Sequence, residues 1–385
     1  MFGKVHRLKR QLLSHATPVA LLPLLVLATL LVLLRTDRAQ PSVRSVFAER
    51  AALAERAGPA ASTEGYCRAA IGRLPYPGAV ETYAIAFAGG TPAGLDLAPD
   101  GSVWFTLPTE NAVGHLVVTS TIDYTGEMIA LPTAAAEPLG IAVSPDGSRV
   151  WIAEASANAI SELNPTTGAV TEHVLARANA RPTDVDVAPS GLVWFTEESG
   201  NRLASFDPGD GSVREYFVPT SNSAPHNLVV AEEDRIWFTE ADAQKIGRFR
   251  PSLWPNPGTF VEVLSAGSRP FDIAVDALGD PWVTDIAGNK VGWFQAGTTQ
   301  VFRWYTLLPG QVAPAGIAFD SSNRPWFTDA AGVAVIKERN VGTIERFAAP
   351  AAYTSPAGIA AQSDIVWFPT AALANCLYVP LIRGP

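Results

Sequence analysis

The chain has 385 residues, a formal net charge of −9 at pH 7 and a hydrophobic fraction of 48%. That acidity argues against a general nucleic-acid binder, which needs a basic surface to neutralise phosphates. Gly and Pro, 31 of each, mark turns at fixed offsets, which is the composition of a folded body and not of a disordered one.

Residues 1–16 form a basic flank carrying Lys4, His6, Arg7, Lys9 and Arg10. The run TPVALLPLLVLATLLVLL follows, from Thr17 to Leu34, without a charge. Its length suffices to cross a hydrocarbon core of about 30 Å. It exceeds most signal-peptide cores, and no convincing Ala-x-Ala cleavage site follows it. The pattern predicts a transmembrane signal anchor over residues 17–35. The basic flank stays in the cytoplasm and the rest is displayed on the extracytoplasmic side. Cleavage of the segment would instead release a secreted protein. Residues 36–79 read as a stalk, with Val43, Val46, Phe47 and Leu53 at helical spacing before the stop at Gly58-Pro59.

Residues 80–385 are dominated by one phrase: Pro, a turn former close behind it, an apolar stretch, then Trp-Phe-Thr-Glu or a variant. Seven copies begin at Pro92, Pro138, Pro182, Pro225, Pro270, Pro314 and Pro356. Each carries one Trp: Trp104, Trp151, Trp194, Trp237, Trp282, Trp326 and Trp367. A period of about 40–45 residues made of short apolar strands is the signature of a propeller blade. The expected fold is all-β, a seven-bladed β-propeller of four-stranded antiparallel blades, preceded by the N-terminal transmembrane helix.

The third repeat shows how a blade is written. Val185 and Val187 alternate with Asp184 and Asp186 in an inner strand. Leu192 to Thr196, Arg202 to Phe206 and Arg214 to Val218 follow as strands, separated by Gly/Asn/Asp/Pro turns. The seventh repeat ends before an outer strand, and Val80 to Phe87 alternates like one. That segment is expected to supply the missing strand and close the ring without an exposed edge. Such closure would bring Cys67 near Cys376, the two cysteines of the chain, for a disulfide in an oxidising compartment.

Two repeat positions are candidates for chemistry at the channel mouth. One follows the repeat Pro: Ala93, Leu139, Thr183, His226, Phe271, Ala315 and Ala357. The other ends the Trp strand: Glu154, Glu197, Glu240, Asp285 and Asp329. Converging carboxylates suit a hard cation such as Mg²⁺, and Glu240 with Asp285 is the candidate metal pair. The structural alternative is that each acid caps the turn that follows it. His226 is unique in its column, so it is the candidate catalytic residue, as general base or metal ligand. Thr183, Phe271, Glu197, Glu240 and Asp285 are the candidate binding residues around it.

The phrases PHNLVVAEEDRIWFTEADAQKIGRF, RPTDVDVAPSGLVWFTEESGNRLASF and RPFDIAVDALGDPWVTDIAGNKVGWF resemble the repeats of streptogramin B lyase, also called virginiamycin B lyase. The resemblance runs through all seven repeats. It implies a seven-bladed propeller that opens a cyclic depsipeptide by elimination across its ester bond, with Mg²⁺ and a histidine acid/base. His226 stands where that family has its first active-site His. Phe271 stands where the second His belongs, Arg269 replaces the nearby Glu, and Asp285 replaces the strand-end Glu. The expectation is therefore a membrane-tethered propeller that binds a small molecule, a peptide or a protein, without an intact lyase site. The alternative is a diverged metal-dependent lyase, or a lactonase-type hydrolase, using His226 and its neighbouring acids.

Overall fold

The computed structural model describes residues 92–118, 124–232, 235–255, 259–264, 269–295, 302–307, 313–330, 332–348, 358–362 and 365–368. It also describes the strand pairs 74–75 with 81–82 and 370–372 with 376–378. The chain divides into two units, Met1–Thr63 and Glu64–Pro385, and every described residue belongs to the second. The anchor at 17–35, the stalk helix and Cys67 lie outside the described residues. Among the described residues no helix is long and apolar enough to cross a membrane.

Among the described residues six four-stranded antiparallel sheets make six blades. In the third blade the strands are Pro182–Val187, Val193–Glu197, Arg202–Asp207 and Ser212–Phe217. The fourth blade uses Pro225–Glu232, Arg235–Glu240, Lys245–Phe249 and Phe260–Leu264. The inner strands neighbour one another in chain order. The inner strand of the seventh repeat, Ala360–Gln362, touches both Ile317–Phe319 of the sixth blade and Leu95–Leu97 of the first.

The seventh repeat departs from expectation. Its described strands form two separate pairs, Ala360–Gln362 with Ile365–Trp367 and Thr370–Ala372 with Cys376–Tyr378. Glu81–Thr82, expected as an outer strand of that repeat, pairs with Leu74–Pro75. The turn dipeptide Pro77-Gly78 lies between them, and a local hairpin closes a far shorter loop than a pairing with the far end of the chain.

The tryptophan column lies between blades. All seven rings are at most 4% exposed. Trp151, Trp194 and Trp237 each meet a phenylalanine on the third strand of the next blade: Phe206 at 5.5 Å, Phe249 at 5.7 Å and Phe294 at 5.1 Å between centroids. One sheet cannot bury both faces alone, so the ring stacks each sheet on its neighbour. Each aromatic pair adds about 0.5–1.5 kcal/mol beyond simple burial.

Candidate functional site

The residue after each repeat Pro reaches the channel because the ladder breaks there. Register shifts between Pro138 and Ile141, Pro182 and Val185, Pro225 and Leu228, and Pro270 and Ile273 lift two residues off the pairing in each inner strand. The Thr of the recurrent phrase repairs the break. Thr196 and Thr239 Oγ1 accept the Asp184 and Asn227 N–H groups at 3.1 and 3.0 Å. The same hydroxyls donate across the seam to the carbonyl oxygens of His226, at 2.9 Å, and Phe271, at 3.0 Å. Thr106 and Thr284 donate likewise to Leu139 and Ala315. The second blade has Ala153 in place of this Thr. There Gly140 lies so close to the third blade that a Cβ would sit 2.5 Å from the Asp184 Cα.

These lifted residues line a pocket of about 480 Å³ at the head of the channel. Thr183, His226 and Phe271 all border it, together with Ala93, Leu139, Ile317 and Ile359. The wall is mostly apolar. Thr183 is 4% exposed, and its hydroxyl donates to the His226 carbonyl oxygen at 2.9 Å. The His226 and Phe271 rings lie 4.9 Å apart.

The nearest acid to His226 is Glu198, which the sequence reading passed over. His226 Nδ1 lies 3.5 Å from Glu198 Oε1, and Arg181 Nε donates to Glu198 Oε2 at 2.8 Å. Arg181 also bridges to Glu137 of the second blade, at 2.9 and 3.1 Å. The His226 imidazole and the Arg181 guanidinium together hold the Glu198 carboxyl down to about 2. Arg181 and Glu137 both sit at positive φ, 55° and 56°, directly before a repeat Pro. Such backbone costs roughly 1–2 kcal/mol per non-Gly residue. The one available sequence signal was that Glu198 follows the strand end, where a single step along the chain moves a side chain to the other face.

Deeper in the channel, inner-strand aspartates staple blade to blade. Asp96 accepts the Val143 N–H at 2.7 Å, Asp186 that of Val230 at 2.7 Å, and Asp272 that of Ile317 at 2.8 Å. Asp184 accepts the Leu228 N–H at 2.9 Å. Burial pushes Asp96 up to about 7 and Asp272 and Asp186 to about 6. Each carboxyl accepts a backbone N–H across a seam, and Asp96, Asp184, Asp186 and Asp272 also border the pocket.

The strand-end acids lie apart from the pocket. Glu197, Glu240 and Asp285 are fully buried and do not line it. Burial raises Glu197 and Glu240 to about 7, with Glu215 and Glu262 of the outer strands adding repulsion. Glu197 and Glu240 have no hydrogen-bond partner among the described residues. Asp285 Oδ1 accepts the N–H groups of Arg269, at 3.0 Å, and Gly288, at 2.8 Å, which is the turn-capping role. The Glu240 and Asp285 pair does not fit Mg²⁺. One carboxylate is engaged by backbone donors, the other faces Lys245 and Glu262 in its own blade, and Arg269 lies beside Asp285. Among the described residues no group of three or more His, Cys, Asp or Glu side chains can hold a metal ion.

The comparisons agree with this geometry. The model of the virginiamycin B lyase family matches residues 63–249 and 228–376. A virginiamycin B lyase of Nocardia farcinica (strain IFM 10152) is 36% identical over 145 residues, which cover 34% of this chain and 48% of that protein, about half its length. The crystal structure of selenomethionine-substituted virginiamycin B lyase from Staphylococcus aureus superposes with a TM-score of 0.67 at 26% identity, covering 77% of this chain and 96% of the other. A solved streptogramin B lyase superposes with the same TM-score at 27% identity, covering 79% and 97%. The chain therefore belongs to the virginiamycin B lyase family.

Proposed function

We propose that this chain is a membrane-tethered propeller, displayed on the extracytoplasmic side, that binds a small-molecule or peptide ligand at the channel mouth and does not run the family's elimination. The observation that carries this reading is Phe271. It borders the pocket beside His226, at the place where the family resemblance puts the second histidine. Proton abstraction needs a group of matched pKa within reach, and a phenyl ring offers none. A mostly apolar pocket whose polar groups are His226, Thr183, Asn227 and the inner-strand aspartates suits binding: apolar walls supply affinity and a few polar groups fix orientation.

A second reading rests on the Glu198–His226 pair. A carboxylate 3.5 Å from an imidazole Nδ1 is one step short of the hydrogen bond that orients a general base. It supports a diverged lyase or lactonase that uses His226 alone.

The test is incubation of the purified chain with a streptogramin B depsipeptide and Mg²⁺, followed by mass spectrometry for the ring-opened product and calorimetry for binding. Saturable binding without product supports the first reading. Product that disappears in His226→Ala supports the second. A Leu139→Arg variant, which puts a charge into the pocket wall, is expected to abolish binding.

A further inference from the structure

The repeats supply their own controls, and one blade breaks a pattern that the others keep. In the second to sixth blades an acid ends the Trp strand at the rim and faces a fixed cross-strand position on the third strand. Glu197 pairs with Arg202, Glu240 with Lys245 and Asp285 with Lys290. In the sixth blade Gly332 holds that place, and Arg346 from the outer strand bonds Asp329 instead. Each of these acids therefore has a cation of its own blade nearby. In the second blade the partner of Glu154 is Ala159.

The second and fourth blades match closely in the rest of this corner. Thr220 donates its N–H and hydroxyl to Glu262 at 3.1 and 2.8 Å, and Lys245 Nζ bonds Glu262 at 2.6 Å. Thr133 makes the same two bonds to Glu172, both at 2.8 Å. Glu172 is the cross-strand partner of Ser161 and interacts with Glu154, and among the described residues no Lys or Arg forms an ion pair with either carboxylate. Ser161, two residues along from Ala159 and hence on the same face, lies next to Glu154. Glu154 and Ser161 are both fully buried, and among the described residues neither the two Glu154 oxygens nor the Ser161 hydroxyl has a hydrogen-bond partner. Buried polar groups are normally satisfied, so three orphaned oxygens in one corner need an explanation.

We propose that this corner of the second blade is a binding site for a hard divalent cation, held by Glu154, Glu172 and the Ser161 hydroxyl. The ion stands where the third and fourth blades place Arg202 and Lys245. Two carboxylates and a hydroxyl are all oxygen donors, the ligand set of calcium-like ions. Glu154 is buried and Glu172 part-exposed, and a divalent cation would balance both carboxylates when both are ionised. The site is remote from the channel pocket and does not depend on what binds there.

The test uses the full-length chain, stripped with chelator, at pH 8. Isothermal titration with calcium, in a potassium-containing buffer that holds ionic strength constant, is expected to show one site per chain and a calcium-dependent rise in unfolding temperature. Both effects should vanish in Ala159→Lys, which supplies the ammonium of the fourth blade internally and should fold without calcium. They should also vanish in Glu154→Gln. If Glu154→Gln does not fold, Ala159→Lys decides alone. Calcium binding that persists in Ala159→Lys would overturn the proposal. So would a wild-type chain that binds no calcium and responds in this corner only to pH, the behaviour of a shared proton.

Discussion

The hydroxyl of Thr183 donates to the carbonyl oxygen of His226 across the seam between the third and fourth blades, at 2.9 Å. Thr196 donates to the same oxygen at the same distance, and the two hydroxyls lie 2.9 Å apart. The backbone of the one channel-mouth histidine is thus set by the blade before it.

That arrangement predicts separable effects. Thr196→Val removes a buried hydrogen bond in both the ladder and the seam, and should cost about 1–3 kcal/mol. Thr183→Val removes only the seam bond and should cost about 1 kcal/mol. Both should broaden or shift the His226 ring resonances in NMR spectra, with Thr183→Val doing so at nearly unchanged unfolding temperature.

Glu198 sets a prediction for the acid limb. Its carboxyl is held down to about 2 in the folded chain, below the ordinary 4.5. The folded state therefore binds this proton more weakly than the unfolded state. Its contribution to stability is present above the ordinary value and is lost as pH falls toward 2. Glu198→Gln should flatten that part of the stability profile, as read by urea unfolding between the two values.

Glu197 and Glu240 act with the opposite sign. Both are raised from 4.5 to about 7 by burial, so the folded state binds their protons more tightly. Their stabilising effect is full below the ordinary value and is lost as pH rises through 7. Glu197→Gln should raise the unfolding temperature at pH 8 and change it little at pH 4. An equal shift at both values would show that the carboxyl is already ionised in the folded chain.

The channel mouth predicts a gain of function. Arg269→Glu combined with Phe271→His restores the residue types that the family has at those places. The double variant should open a streptogramin B depsipeptide in the presence of Mg²⁺ more than tenfold faster than the parent, by mass-spectrometric assay. Equal rates in the two chains would mean that Phe271 is not what limits the reaction.

Gly140 marks a tight seam between the second and third blades. A Cβ there would meet the Asp184 Cα and Oδ1, each at 2.5 Å. Gly140→Val should cost several kcal/mol, of the order of other overpacked positions. Calorimetric unfolding of Gly140→Val against the parent chain checks this.

Much of this was legible in the chain itself. The period, the turn residues and the Trp column follow from local chemistry, because each blade is written once and repeated, and the rings must fill the gap between sheets. His226 stood out because six equivalents lacked its chemistry. The partner of His226 was not legible. Glu197 repeats as a column and drew attention to itself, but pairing in the ladder turns it toward its own blade. Its neighbour Glu198 is the one that reaches the channel mouth.

The sequence by itself determined the propeller blade, the family and the position where the repeats differ, because these depend on periodicity and residue type along one chain. Only the tertiary structure decided which acids line the channel, which are buried off it and which Thr pins which carbonyl. The Thr-to-carbonyl contacts join residues 30 to 43 positions apart on adjacent blades, where the direction of a side chain depends on the bulge, the seam and the neighbouring sheet.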